Sequence, residues 1–174
     1  MYLVSLYFDD KSQRKIQGFI NKVAEISGNN FMTDNNVPPH ITIASFQTNE
    51  EHRVIEILDK IINDTNKGII TLASIGIFKS SVIFLSPVLN EYLHNLSVCI
   101  YEGISLVKNI DISKYYLPFQ WVPHITIAKK LTKEELILGL QELDNNFTIF
   151  SGSIIKITLS RTNPLEDIVV WNLG

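Results

Sequence analysis

The sequence lacks several features that other chains of its length depend on. It has one cysteine, Cys99, so no disulfide can close within the chain. That cysteine falls in an apolar helical pattern and reads as a buried core thiol. No apolar run approaches the ~20 residues that cross a bilayer. The opening MYLVSLYFDD has no basic start and reaches acid within ten residues, which is unlike a secretory signal. A cytoplasmic, soluble protein with no membrane association is expected. There is no cationic excess: 15 Lys and Arg stand against 18 Asp and Glu, for a net charge of −3. Long nucleic acid, whose binding rests on many Lys and Arg contacts to phosphate, is a poor match. No HExxH run and no cysteine cluster offers a metal site, and no cofactor motif is present. No Gly/Ser-rich linker divides the 174 residues, so residues 1–174 are expected to form one domain.

What is present is a globular composition, 45% apolar and 19% charged, and a repeat. Residues Pro39–Ala44 read PHITIA, and so do Pro123–Ala128, 84 positions later. The match extends to PHITIASFQTNEE (39–51) against PHITIAKKLTKEE (123–135), with nine of thirteen positions identical. HITIA is β-branched and strand-like. The shared Thr-x-x-Glu, Thr48–Glu51 and Thr132–Glu135, has the spacing of a capping box opening a helix. The helices that follow carry apolar stripes: Val54, Ile57, Leu58 and Ile61 in one, Leu136, Leu140 and Leu143 in the other.

Each copy is preceded by another strand–helix pair. Tyr2–Phe8 reads as a strand, Asp9 or Asp10 as a cap, and Ile16, Phe19, Ile20, Val23 and Ile26 as a helical stripe. Ser81–Ser86 reads as a strand and Pro87 as a first helical turn. Leu89, Leu93, Leu96, Ile100 and Ile104 form the next stripe. Strands over Gly68–Phe78, Phe147–Leu159 and Ile168–Leu173 close the halves. The expected class is α+β: two similar lobes, approximately 1–80 and 81–174, related by a pseudo-two-fold axis, with antiparallel-rich sheets lining a central cleft and helices outside.

Alternation along a strand sets His40 and Thr42 on one face and Ile41 and Ile43 on the other; His124 and Thr126 oppose Ile125 and Ile127 in the same way. The isoleucines need an apolar layer, which the helices supply. A duplicated strand would keep its isoleucines for the core alone, but that does not account for a His and a Thr repeating on the other face. If the lobes face each other, two imidazoles and two hydroxyls converge. One imidazole can accept a proton and the other donate one near neutral pH, and threonine hydroxyls can hold phosphate oxygens. No acid lies close in sequence to either histidine.

The pair His40-Ile-Thr42-Ile and His124-Ile-Thr126-Ile resembles the signature of the two-histidine (2H) phosphoesterase superfamily, which includes RNA 2′,5′-ligase-like proteins and cyclic nucleotide phosphodiesterases. The resemblance spans essentially the whole chain. It implies a bilobal fold with an open cleft and metal-independent chemistry on 2′,3′-cyclic phosphates at RNA ends, small cyclic nucleotides or 2′–5′ linkages. By motif match His40 and His124 are the acid/base pair, with neither role assigned, and Thr42 and Thr126 bind phosphate. The alternatives are a module that binds nucleotides or RNA ends without turnover, and 2′–5′ ligation on the same site.

Other candidates are the aromatics before the second motif. Tyr116 and Trp121, with Tyr115 and Phe119, can stack a base at the cleft mouth or cover the core edge. Lys129 and Lys130 read as a solvated pair, Arg161 as surface in the turn SRTNP, and His52 and His94 as exposed helical residues. The expected partner is a short RNA end or small cyclic nucleotide, and the expected state a monomer.

Overall fold

A computed structural model describes residues 1–162 and 166–174. Its elements run β1 (Tyr2–Phe8), α1 (Asp10–Ser27), α2 (Phe31–Asp34), β2 (Ile41–Gln47), α3 (Glu51–Asn63) and β3 (Gly68–Phe78). They continue with β4 (Val82–Pro87), α4 (Glu91–Ser105), β5 (Asp111–Ile112), a 3-10 turn (Lys114–Tyr116), β6 (Ile125–Lys129), α5 (Lys133–Asn146), β7 (Phe150–Arg161) and β8 (Glu166–Asn172). This is the strand–helix–strand–helix–strand order expected for each half. The end of the SRTNP turn, Asn163 and Pro164, lies outside the described residues, as does Leu165.

The strands form an eight-stranded antiparallel sheet in the order β5-β2-β1-β7-β3-β4-β6, with β8 beside β7. β1 pairs with β2 and β7, whereas its counterpart β4 pairs with β6 and β3. So the third strand of each half completes the strand set of the other, and β3 and β7 join along residues 68–72 and 150–154. The helices cross over in the same manner. α1 packs with α5 beside β6 and β4, and α4 packs with α3 beside β2.

The core lies between helices and sheet. Val4, Leu6 and Phe8 of β1, Ile41 and Ile43 of β2, and Ile125 and Ile127 of β6 are buried there with Ile16, Ile20, Leu58, Leu93 and Ile100 of the helices. Each such side chain contributes roughly 1.5–3 kcal/mol on burial. The α1 stripe is buried from Ile16 to Val23, but Ile26 is half exposed because the helix ends at Gly28, whose left-handed φ of 74° only glycine adopts freely. Asp9 caps α1: its carboxylate accepts from the Ser12 N–H at 3.0 Å and the Ser153 N–H at 2.8 Å. Those bonds hold its carboxyl below the ordinary carboxylate range, against the upward push of burial.

Three local expectations need correction. The second capping box forms, with Thr132 Oγ1 accepting from the Glu135 N–H and Glu135 bonding back to the Thr132 N–H at 2.7 Å. The first does not. Thr48 Oγ1 accepts instead from the Glu50 N–H at 3.0 Å, α3 starts later at Glu51, and the Glu51 carboxylate is taken by the Arg161 guanidinium. A charge-assisted partner outcompetes the local backbone amide. Pro87 ends β4 rather than opening α4; Asn90 is the cap, accepting from the Leu93 N–H at 3.0 Å, and Leu89 is exposed outside the helix. Cys99 is exposed, not buried: it lies beside Lys60, Tyr92 and Asn95 on the wall of a cavity of roughly 700 Å³ on the helical side, lined by none of the four motif residues. The α4 stripe that meets the core is Leu93, Leu96, Ile100 and Ile104, and Cys99 falls off it.

Candidate active site

Both motif strands carry the same irregularity. Val4 faces Ala44 while Ser5 faces Thr42, which leaves Ile43 as an extra residue in β2. Ile83 faces Ala128 while Phe84 faces Thr126, which leaves Ile127 as the extra residue in β6. A bulge at the same place in each copy keeps both isoleucines in the core and re-aims the residues before them.

His40 and His124 stand one residue before their strands. Their rings are held alike. His40 Nδ1 lies 2.8 Å from the Pro38 carbonyl oxygen, and His124 Nδ1 lies 2.8 Å from the Val122 carbonyl oxygen. A carbonyl only accepts, so Nδ1–H donates in both rings and Nε2 is the nitrogen left for chemistry. Both histidines are half-buried. Burial pushes the pKa of each below the ordinary value, and the backbone carbonyls oppose it. His40 is also lowered by the positive charges of His124 and Lys129 and raised by the Asp167 carboxylate. The mutual effect places the two imidazoles within direct electrostatic reach of each other, although 84 residues separate them in the chain.

Thr42 is buried beneath this region and Thr126 is half-buried. Thr42 faces the Tyr116 phenol, which burial pushes upward in pKa and Thr42 partly relieves. Tyr116 therefore joins the motif residues. Trp121 does not stand open at the mouth: it is 6% exposed, belongs to the core cluster, and its Nε1–H finds no partner. Of the loop aromatics, Tyr115 and Phe119 are the open ones, at 69% and 79% exposure; Phe119 has a left-handed φ of 63° and its ring lies 4.1 Å from that of His94. His94 is thus half-buried against Phe119 rather than free, while His52 is exposed as expected. Of the lysine pair, Lys130 is exposed as expected and Lys129 is half-buried. Both ammonium groups sit over the Phe31 ring of α2, at 4.8 and 4.3 Å, and burial lowers the pKa of Lys129. Arg161 is exposed, as expected.

The walls beside the two histidines differ, as the polar run before the first motif and the aromatic run before the second suggest, but the residues that make the difference on the strands were not singled out from the sequence. Next to His124 the wall is aromatic. Phe84 stacks on Phe78 at 4.1 Å, and both rings meet the imidazole at steep angles, at 5.6 and 4.9 Å. Phe84 can lie there because its partner across the strands is Gly76; a Cβ on Gly76 would fall inside the Phe84 ring. Next to His40 the wall carries hydroxyls. Ser5 takes the place of Phe84, opposite Thr42 on one side and Thr158 on the other. Tyr7 lies beside the His40 ring at 5.8 Å, with the Lys156 ammonium 4.5 Å from the centre of the Tyr7 ring. The residue pattern that could have signalled this is the contrast of FLS with SLYF in the two first strands, visible only once strand register is known.

A family model described as the 2′-5′ RNA ligase superfamily matches residues 12–163. The chain belongs to the 2′-5′ RNA ligase superfamily. The resemblance to two-histidine phosphoesterases is thereby borne out at the level of the family. The fold agrees. The Escherichia coli LigT structure complexed with 3′-AMP matches with a TM-score of 0.66 at 18% identity, covering 99% of this chain and 97% of that one. LigT complexed with phosphate matches at 0.61 and 16% identity, covering 99% and 96%. A crystal structure described only as a phosphoesterase matches at 0.62 and 17%, covering 99% and 97%. No curated protein sequence matches the chain. Among the described residues, no group of three His, Cys, Asp or Glu side chains is arranged to hold a metal, and no helix is long and apolar enough to cross a membrane.

Proposed function

We propose that this superfamily member is a metal-independent phosphodiesterase that opens 2′,3′-cyclic phosphates on short RNA ends or small nucleotides. The observation that carries the proposal is the matched tethering of His40 and His124, each with Nδ1 tied to backbone and Nε2 free, within reach of each other's charge. A neutral imidazole takes a proton from water through Nε2. The water oxygen bonds to phosphorus, the bond from phosphorus to one ribose oxygen breaks, and the second, protonated imidazole gives its Nε2 proton to that oxygen. The product is a phosphomonoester with a free neighbouring hydroxyl. Thr42 and Thr126 donate to the non-bridging oxygens, where charge builds in the transition state.

His40 is the base in this scheme and His124 the acid. The repulsion between the two imidazoles is shared and favours neither role, but Lys129 further disfavours a proton on His40. The ligands of the LigT neighbours, 3′-AMP and phosphate, are of the product class expected. In this scheme the Tyr116 phenol, beside Thr42, joins in binding the substrate. Ligation on the same site would put a 5′-hydroxyl in place of the water: its oxygen bonds to the phosphorus of the cyclic phosphate, the bond from phosphorus to the 3′ oxygen breaks, that oxygen takes the proton, and a 2′–5′ linkage results.

Hydrolysis of 2′,3′-cyclic nucleotides and cyclic-phosphate-ended RNA in EDTA tests the proposal, with wild type, His40→Ala and His124→Ala. Turnover in the wild type that is lost in both variants supports it. Binding of these substrates without turnover would turn the reading toward a binding module. Turnover that survives either substitution would remove the histidine pair from the mechanism.

A further inference from the structure

A chain of hydroxyls runs from the His40 side of the cleft to a carboxylate on the last strand. The Tyr7 ring stands against the His40 imidazole at 5.8 Å. Its phenol is in hydrogen-bonding reach of Thr158 on the neighbouring β7. Thr158 Oγ1 lies 3.2 Å from Ser160 Oγ, and Ser160 Oγ donates to Asp167 Oδ1 at 2.6 Å. The distance of the last bond is that of an O–H donating to an ionised oxygen. Tyr7, Thr158 and Ser160 are all buried, at 7%, 0% and 2% exposure. Buried hydroxyls are costly unless partnered, and three in a row that partner one another form a connected polar path in a low-dielectric setting.

The other half-site has no such path. The strand register that sets Ser5 opposite Thr158 sets Phe84 opposite Gly76. Two residues further along β3, where β7 has Ser160, stands Phe78. Among the described residues, an otherwise symmetric framework therefore carries a hydroxyl path to a carboxylate behind one histidine; behind the other stand two stacked aromatic rings and the Ser86 hydroxyl, which donates to the Pro123 carbonyl at 3.2 Å.

We infer that Asp167, acting through Ser160, Thr158 and Tyr7, is a positioning residue that sustains the basicity of His40 and so makes the two histidines of the site unequal. The inference deepens the proposed mechanism and rests on it for its catalytic consequence, but not for its effect on His40 itself. The charged and titratable groups facing His40 are known from each neighbouring element. They are Tyr7 of β1, Lys156 of β7 over the Tyr7 ring, Asp167 of β8, His124 and Lys129 of β6, and Tyr116 of the 3-10 turn by way of Thr42. Asp167 is the one anion among them. Burial and two cations drive His40 toward a weak base, and Asp167 opposes them. A general base works best with a pKa near the working pH, so a carboxylate that counters over-depression has a use at His40.

The test is the titration of both imidazoles by NMR in the full-length protein, wild type against Asp167→Asn. The amide can still accept from Ser160, so the change removes charge with little change of shape. The His40 midpoint is expected to fall to lower pH while the His124 midpoint stays. Ser160→Ala, which breaks the path and leaves the charge, is expected to lower the His40 midpoint by less. Asp144→Asn, an exposed carboxylate at the end of α5, serves as the control and is expected to move neither. An unmoved His40 in folded Asp167→Asn, or equal shifts of both histidines, overturns the inference. If the protein lacks cyclic phosphodiesterase activity yet His40 shifts as stated, the mechanism fails and the inference about His40 stands. In active protein the acidic limb of the kcat/KM profile moves to lower pH with the His40 midpoint, a readout that a purely structural role would leave in place.

Discussion

The two PHITIA strands are the same six residues with the same bulge and the same imidazole tether, yet they sit in different surroundings. On the His40 side the neighbouring strands offer Ser5, Tyr7, Thr158 and Ser160. On the His124 side they offer Phe84, Phe78 and Gly76. What is held constant is what positions an imidazole: a carbonyl two residues back and a pair of buried isoleucines. What varies is the environment that sets its proton affinity and its neighbours. The comparison teaches that a duplicated frame can be kept symmetric where it positions a ring and broken in the surroundings that tune that ring.

The largest effects should come from the constant part. His40→Ala and His124→Ala are each expected to lower cyclic phosphate hydrolysis by roughly 10²–10⁴-fold, with the double variant little worse than either single one, since the two act as a unit. Steady-state rates alongside thermal unfolding will check this; equal losses of folding and rate would break it. Thr42→Val and Thr126→Val come next, at about 10²-fold in kcat if each hydroxyl meets charge that develops only in the transition state.

The unequal walls give the next contrast. Gly76→Ala is expected to destabilise by ~1–3 kcal/mol, because the Phe84 ring must leave its place. Phe84→Leu in the same chain should recover part of the loss, which urea unfolding of the single and double variants will measure as a coupling. Additive losses would mean that the ring does not rest on Gly76.

The pH dependence follows from the depressed pKa values of both histidines. The acidic limb of kcat/KM, where the free base gains its proton, is expected below the ordinary histidine value of about 6.5. Stability carries the same sign. Between that ordinary value and the lower folded value, the unfolded chain binds protons that the native state does not, so stability falls as pH falls through this window. Urea midpoints from pH 8 to 5 will show it, and a flat profile would contradict the direction.

The smallest effect separates the two halves at their helix starts. Thr132→Ala removes a formed capping box and should cost about 1 kcal/mol. Thr48→Ala removes only a turn bond and should cost less. Equal costs would mean that the first box forms in solution.

Most of the fold was legible because it rests on patterns that a chain displays by itself. The period-two alternation of HITIA and the 3.6-residue stripes of α1, α3, α4 and α5 set the element order, and the repeat at 84 residues set the pairing of halves. The site was legible for the same reason: identical polar residues on the face opposite identical isoleucines. Pro87, Thr48 and Cys99 misled because each carries a local preference that a longer-range partner overrode. Pro87 was taken by the β4–β3 ladder, Thr48 lost its box when Glu51 met Arg161, and Cys99 fell off a stripe filled by Leu96 and Ile100. Trp121 sits before the second motif as the aromatic reading had it, but its ring is packed in the core.

By itself the sequence determined the strands, the helices, which residues face the core and which four polar residues recur. These follow from short-range chemistry: branching at Cβ, the hydrophobic period and capping. Only the tertiary structure decided that β3 and β7 exchange between halves, and that two histidines 84 residues apart come within reach of each other's charge. It also decided that Tyr7 meets the His40 ring and Phe84 the His124 ring. Those outcomes depend on strand register, which is fixed by the packing of whole faces and not by any residue alone.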